Sequence, residues 1–167
     1  PGYNVDVSYS GGQYTVAQKN GTDIKLTKHS PIYRPDVITD ANGTTLTYTY
    51  DDAGRATSIT DIHGRSLSFA YDAFGRKTAV SDSTGRRIAL GYDSNNRLNS
   101  ITDVDLVAET YTYGADGRID KITHASGAHE YMSYDSTGRI TSYNEDNGNN
   151  KKTYVYDDVS STTLVTE

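Results

Sequence analysis

Ser66-Leu67-Ser68-Phe69-Ala70-Tyr71-Asp72-Ala73-Phe74-Gly75-Arg76-Lys77-Thr78-Ala79-Val80-Ser81-Asp82-Ser83-Thr84-Gly85 is one period of this chain. Leu67, Phe69 and Tyr71 alternate with Ser68 and Ala70, the period-two signal of a strand. A turn follows, in which Asp72 can accept amide bonds as an Asx-turn and Gly75 tolerates positive φ. A second strand runs through Val80, and a second turn closes at Gly85. The first-strand columns recur upstream as Leu46, Tyr48 and Tyr50, and downstream as Ile88, Leu90, Tyr92, then Glu109, Tyr111, Tyr113, then Glu130, Met132, Tyr134. After a one-residue insertion they return as Lys152, Tyr154 and Tyr156.

The tyrosines at 50, 71, 92, 113, 134 and 156 are spaced by 21, 21, 21, 21 and 22 residues, and Arg55, Arg76, Arg97, Arg118 and Arg139 keep the 21-residue step throughout. Asp51, Asp72, Asp93, Asp135 and Asp157 follow the tyrosines, with Gly114 standing in once. The fourth turn position is Gly54, Gly75, Gly117 and Gly138, with Asn96 in the third copy. The second strand carries Ile59, Val80, Ile101, Ile122 and Tyr143. Its closing turn has Gly43, Gly64, Gly85, Gly127 and Gly148; Leu106 stands there once and predicts a turn of different build. A unit of this size cannot bury its own apolar face and must stack on its neighbours. The fold expected is all-β: an antiparallel β-hairpin meander of about 21-residue repeats, in an open or spiral sheet.

Residues 44–158 form the repeat domain, 159–167 a tail, and 1–43 either a degenerate repeat or an N-terminal cap. The first segment keeps the alternation of Tyr3, Val5, Val7 and Tyr9 but lacks Tyr-Asp, and Pro31 and Pro35 interrupt it. A sheet cut at its last strand would expose an edge, so edge-to-edge pairing of two copies is one way to associate.

Apolar residues make up 34% of the 167, and the aromatics are 15 Tyr and two Phe, which predicts a core built largely from tyrosine. Without cysteine there is neither a disulfide framework nor a thiolate metal site. The net charge of −6 is made of interspersed signs with no basic face, which argues against nucleic acid. No apolar run reaches the ~18 residues of a membrane span.

A row of arginines could bind an anionic ligand. Each Arg, however, shares the parity of the Ile/Val column, so it is expected to stack on a neighbouring Tyr and pair with a repeat Asp. His29, His63, His124 and His129 are the neutral-pH titrating groups; His124 and His129 flank the Gly127 turn, but two His make no metal site, and surface-loop positions are expected. The oxygen-rich Asn144-Glu145-Asp146-Asn147-Gly148-Asn149-Asn150 reads as a polar hairpin turn rather than a calcium loop. No nucleophile elbow and no P-loop appear, so no catalytic, cofactor or metal residue is assigned, and the chain is read as a non-enzyme.

Tyr50-Asp51-Asp52-Ala53-Gly54-Arg55, Tyr71-Asp72-Ala73-Phe74-Gly75-Arg76 and Tyr134-Asp135-Ser136-Thr137-Gly138-Arg139 resemble the Rhs/YD-repeat family, over about residues 42–158. That family includes bacterial Rhs and wall-associated polymorphic toxins, toxin-complex cocoon components and animal teneurins. The resemblance implies a spiral of hairpins that in full-length members closes into a hollow shell. In the bacterial toxins the shell encloses a C-terminal toxic domain; in teneurins it presents an adhesive surface. This chain has five to six repeats and no Asp-Pro-x-Gly stretch of the self-cleaving kind. The resemblance thus implies a scaffold module of a secreted or cell-surface bacterial protein, partnered by other repeats of a longer chain or by an enclosed toxin domain. An adhesin-like strip contacting surface glycans or proteins is the alternative.

Overall fold

The computed structural model describes residues 5–29, 31–146, 150–157 and 162–166. These hold sixteen strands and no helix, in two compact units, 1–87 and 88–167. The first unit contains β1 (Val5–Ser10), β2 (Gln13–Gln18), β3 (Asp23–His29), β4 (Ile32–Thr39), β5 (Thr45–Tyr50), β6 (Ala56–Asp61), β7 (Ser66–Tyr71) and β8 (Lys77–Asp82). The second contains β9 (Arg87–Tyr92, its first residue closing the first unit), β10 (Leu98–Thr102), β11 (Ala108–Tyr113) and β12 (Ile119–Thr123). It continues with β13 (His129–Tyr134), β14 (Ile140–Glu145), β15 (Lys152–Asp157) and β16 (Thr162–Thr166). Within each unit every strand pairs antiparallel with its neighbours in sequence, a meander without crossovers.

Register brings the apolar columns face to face. Tyr48 pairs with Ile59, Phe69 with Val80, Tyr111 with Ile122, and Met132 with Tyr143. Such cross-strand aromatic and β-branched pairs are the stabilising unit of a sheet. Just before Tyr50, Tyr71, Tyr113 and Tyr134 the register shifts, so a bulge sits beside each tyrosine and re-aims it at the rim.

A tyrosine core is not what forms. Among the described residues Ala79, 3% exposed, is the one buried apolar side chain, and the column tyrosines are half-buried. The cause is architectural: no helix or second sheet packs on the strands of either unit, so a ring covers only its neighbours and the backbone beneath it. Leu46 and Leu67 accordingly remain 38% and 45% exposed.

Two expectations about breakers are also overturned. Pro35 does not end the strand: β4 runs through it at a register shift, where the missing N–H breaks no regular ladder. The turn at Leu106 is not built differently either. The Leu106 amide donates to the Asp103 carbonyl at 3.2 Å and the Asp103 amide to the Val107 carbonyl at 3.0 Å, the pattern seen at Gly64 and Gly85. Leu106 simply adopts φ 62°, as Asn96 adopts 66°.

Leu106 is 84% exposed and has little packing to lose. Leu106→Gly therefore removes a left-handed penalty of ~1–2 kcal/mol, partly offset by the greater freedom of glycine in the unfolded chain. A net gain of about 0.5–1 kcal/mol is expected from chemical denaturation.

Candidate functional site

The repeat motif is a clasp. Asp51 Oδ1 accepts the Arg55 backbone amide at 2.8 Å, and its Oδ2 accepts the Arg55 Nε at 2.7 Å. Asp72 and Arg76 repeat this at 2.9 and 2.7 Å, Asp93 and Arg97 at 2.9 and 2.8 Å, and Asp135 and Arg139 at 3.0 and 2.7 Å. The carboxylate thus closes its own turn and holds the guanidinium in one orientation.

So held, the guanidinium reaches the next repeat. Arg55 lies 4.8 Å over the Tyr71 ring, Arg97 4.3 Å over Tyr113, and Arg139 4.3 Å over Tyr156. Arg76 lies over Phe74 at 5.2 Å. The ring answers with its hydroxyl. Tyr71 donates to the Ala56 carbonyl at 2.8 Å, Tyr134 to Ile119 at 2.8 Å, and Tyr156 to Ile140 at 2.7 Å; Tyr113 likewise donates to Leu98. In every case the acceptor is the residue directly after the arginine, so one tyrosine is held by cation–π contact and by a hydrogen bond at adjoining positions. Tyr92, at the end of β9, pairs in register with Leu98.

The turn glycine serves this contact twice. Gly54 has φ 74°, and a Cβ there would come within 3.1 Å of the Arg34 guanidinium carbon. A Cβ on Gly138 would run into the Arg118 guanidinium. Gly117 takes the same turn conformation at φ 81°. The fourth copy shows how far the motif bends. Gly114 has no carboxylate, so Arg118 pairs instead with Asp116 at 2.9 Å and lies farther from its ring, 5.8 Å over Tyr134.

A second row of clasps went unnoticed in the sequence. Asp61 accepts the His63 and Arg65 amides, both at 2.9 Å, and the Arg65 Nε at 2.6 Å. Asp82 does the same for Thr84 and Arg86, and Asp40 and Asp103 accept turn amides without an arginine partner. The signal was present as Asp40, Asp61, Asp82 and Asp103 at the same 21-residue step. The two rows differ in exposure. Arg65 and Arg86 are 79% and 72% exposed, whereas Arg55, Arg76 and Arg97 are 35%, 25% and 29%.

The histidines differ among themselves. His124, expected as a surface-loop residue, is half-buried between two carboxylates: Nδ1 lies 2.9 Å from Glu109 Oε2 and Nε2 2.7 Å from Glu130 Oε1. Glu109 also accepts the Tyr111 hydroxyl; burial and then that carboxylate push the Tyr111 phenol up to about 12. His29 contacts Asp36 at 3.0 Å and the Tyr50 ring at 4.4 Å. His129 Nδ1 is buried with no hydrogen-bond partner among the described residues. Of the oxygen-rich turn, residues 147–149 lie outside the described residues; Glu145 accepts from Asn150 Nδ2 at 2.9 Å and Asp146 from the His129 amide at 2.8 Å. Among the described residues no group of three or more His, Asp or Glu is placed to hold a metal ion.

A family model, Teneurin YD-shell, matches residues 16–162. Of solved structures, the chain is similar to one in the TcdB2–TccC3–Cdc42 complex (TM-score 0.63, 17% identity, 93% of this chain and 9% of that one). It is also similar to one in the Tc holotoxin pore of Photorhabdus luminescens (TM-score 0.62, 17% identity, 90% and 9%). These likenesses show a shared fold, and the chain spans about a tenth of the length of those it matches. A comparison with curated proteins finds no match.

Arg97→Ala is expected to lower stability by about 1 kcal/mol in denaturant titration, from the lost ring contact and ion pair. Arg97→Lys should restore less than half of that, because an ammonium lacks the planar fork. The clasps also set the acid limit. The Arg97 amide, more than any other group, holds the Asp93 carboxyl below its usual range, and the Thr84 hydroxyl, followed by Arg86, holds Asp82 at about 2. Depressed carboxyl values contribute stability above the unfolded Asp value of about 3.9 and lose it as pH falls through the folded values. Melting temperature should therefore fall below pH ~4, and Asp93→Asn should flatten that fall.

Proposed function

The chain belongs to the Teneurin YD-shell family, and on that premise we propose that it is a non-catalytic section of shell wall in a secreted bacterial protein, laid between further repeats of a longer chain. The observation that carries this reading is the shared clasp. Arg55, Arg97, Arg118 and Arg139 rest on the following repeat's tyrosine, and Tyr71, Tyr113, Tyr134 and Tyr156 bond the preceding repeat's carbonyl, so stability belongs to neighbouring repeats together rather than to one alone. The Tyr, Asp and Arg side chains that dominate the chain are occupied with one another, which suits a wall better than a reaction centre.

Of the two readings of residues 1–43, the positions of Arg34 and Pro35 favour a degenerate repeat over a cap. Arg34 fills the space beside Gly54, and the Pro35 carbonyl accepts the Tyr50 hydroxyl at 2.6 Å, the positions one period before Arg55 and Ala56. The exposed apolar column of Leu46 and Leu67 offers a lining for an enclosed domain. The N-terminal ring cluster favours an adhesive role less: exposed Tyr9 and half-buried Tyr14 and Tyr33 meet at 49° and 79°, not as a flat platform for a sugar ring.

An antibody raised against this chain tests the reading in the source cells. The native product is expected to be several times 18.3 kDa and to protect a further domain from protease until the wall is denatured. A native product near 18.3 kDa would sink the wall-section reading.

A further inference from the structure

His124 occupies the row of Asp40, Asp61, Asp82 and Asp103, and Glu109 and Glu130 occupy the column of Leu46, Leu67 and Ile88. Both replacements fall in the same part of the second unit, and they meet. The backbone turn is kept: the Gly127 amide donates to the His124 carbonyl at 2.9 Å, and the His124 amide to Ala128 at 2.8 Å. Ala128 stands where Arg65 and Arg86 stand in earlier repeats, so the turn brings no guanidinium of its own to compete for the glutamates. The imidazole is free to span from β11 to β13, and does.

We propose that Glu109, His124 and Glu130 form a proton-operated clasp between consecutive repeats, closed while the imidazole carries its second proton and opened when it is lost. Only an imidazolium donates from both ring nitrogens; the neutral ring keeps one N–H and must release one carboxylate as a hydrogen-bond acceptor. The groups around the clasp are mostly carboxylates. From β11 come Glu109 and the Tyr111 phenol, and Asp103 lines the same groove from the turn before it. From β13 come Glu130 and His129; β14 places Glu145 opposite Glu130 in register, with Tyr143 beside it and Asp146 in the turn beyond. Lys152 of β15, paired with Tyr143, is the cation one repeat along the Glu130 column.

Contact with Glu130, then Glu109, holds the His124 imidazole above its ordinary value, while the Tyr111 hydroxyl, then His124, holds the Glu109 carboxyl below its own. A raised imidazole value means that the clasp contributes fully below the unfolded value of about 6.5 and fades as pH rises through the folded one. At the acid end it is lost as pH falls through the lowered Glu109 value. This part of the wall is thus tightest in mild acid and loosens toward alkaline pH.

Ring-proton NMR of the chain across pH 5–9 tests this directly. The His124 midpoint is expected above ~6.5 and should return toward that value in Glu109→Gln and Glu130→Gln. Denaturation midpoints should fall between pH ~6 and ~8 in the unsubstituted chain, and His124→Gln should remove that component while His63→Gln leaves it. A His124 midpoint at or below ~6.5, which needs no variant to fold, would overturn the proposal, as would a pH dependence unchanged by His124→Gln. Neither readout depends on the length of the parent chain or on whether the wall encloses anything.

Discussion

A guanidinium fixed by one repeat and laid on the aromatic ring of the next is the contact on which the rest depends. In most domains two layers close on each other and side chains are locked by burial. Here no second layer packs on either unit's strands, and Ala79 is the one buried apolar side chain among the described residues. Orientation must come from polar contacts at the rim. The Asp carboxylate fixes the Arg, the Arg covers the Tyr, and the Tyr hydroxyl returns to the carbonyl beside the Arg. Each contact is modest alone, but together they define one position for each repeat on its neighbour. The 21-residue step keeps ring and carbonyl in reach of each other, and the one residue inserted between β14 and β15 is absorbed without parting them, since Tyr156 still donates to Ile140 at 2.7 Å.

The same arrangement explains which substitutions the chain tolerates. Arg118 finds Asp116 when Gly114 supplies no carboxylate, because the turn backbone is unchanged and a neighbouring turn position can reach the guanidinium. Leu106 enters the left-handed conformation that Gly64 and Gly85 hold in the second row, where nothing lies within 4 Å of a would-be Cβ, and Asn96 enters it in the first row. In the first row, where Arg34 and Arg118 crowd Gly54 and Gly138, the glycine answers to space as well as to φ.

Much of this was legible in the sequence. Period-two columns and turn residues at fixed offsets gave the strands and the meander, since both depend on local geometry. The stacking and pairing of the arginines followed from parity. What escaped were properties of the surroundings. Tyrosines at core-like spacing imply a core only if something covers them, and spacing cannot say whether it does. Leu106 looked like a different turn because propensity is a preference, and the flanking hydrogen bonds outweighed it. His124 does lie in the turn after β12, but its partners escaped because Glu109 and Glu130 lie 15 and 6 residues away on other strands. The second aspartate row was in plain view but carries no tyrosine to mark it.

The tyrosine bond has a direction. Tyr71, Tyr113 and Tyr134 each reach a carbonyl 15 residues behind them, toward the N-terminus. A repeat emerging from the ribosome therefore finds its docking surface already made and waits for nothing downstream. Contacts of such short sequence separation close at low entropic cost, and assembly runs in the order of synthesis. The sheet is laid down hairpin by hairpin: as Tyr71, Tyr113 or Tyr134 emerges, the carbonyl that seats it is already in place, while the arginine that follows Tyr113 or Tyr134 waits for a ring still to come.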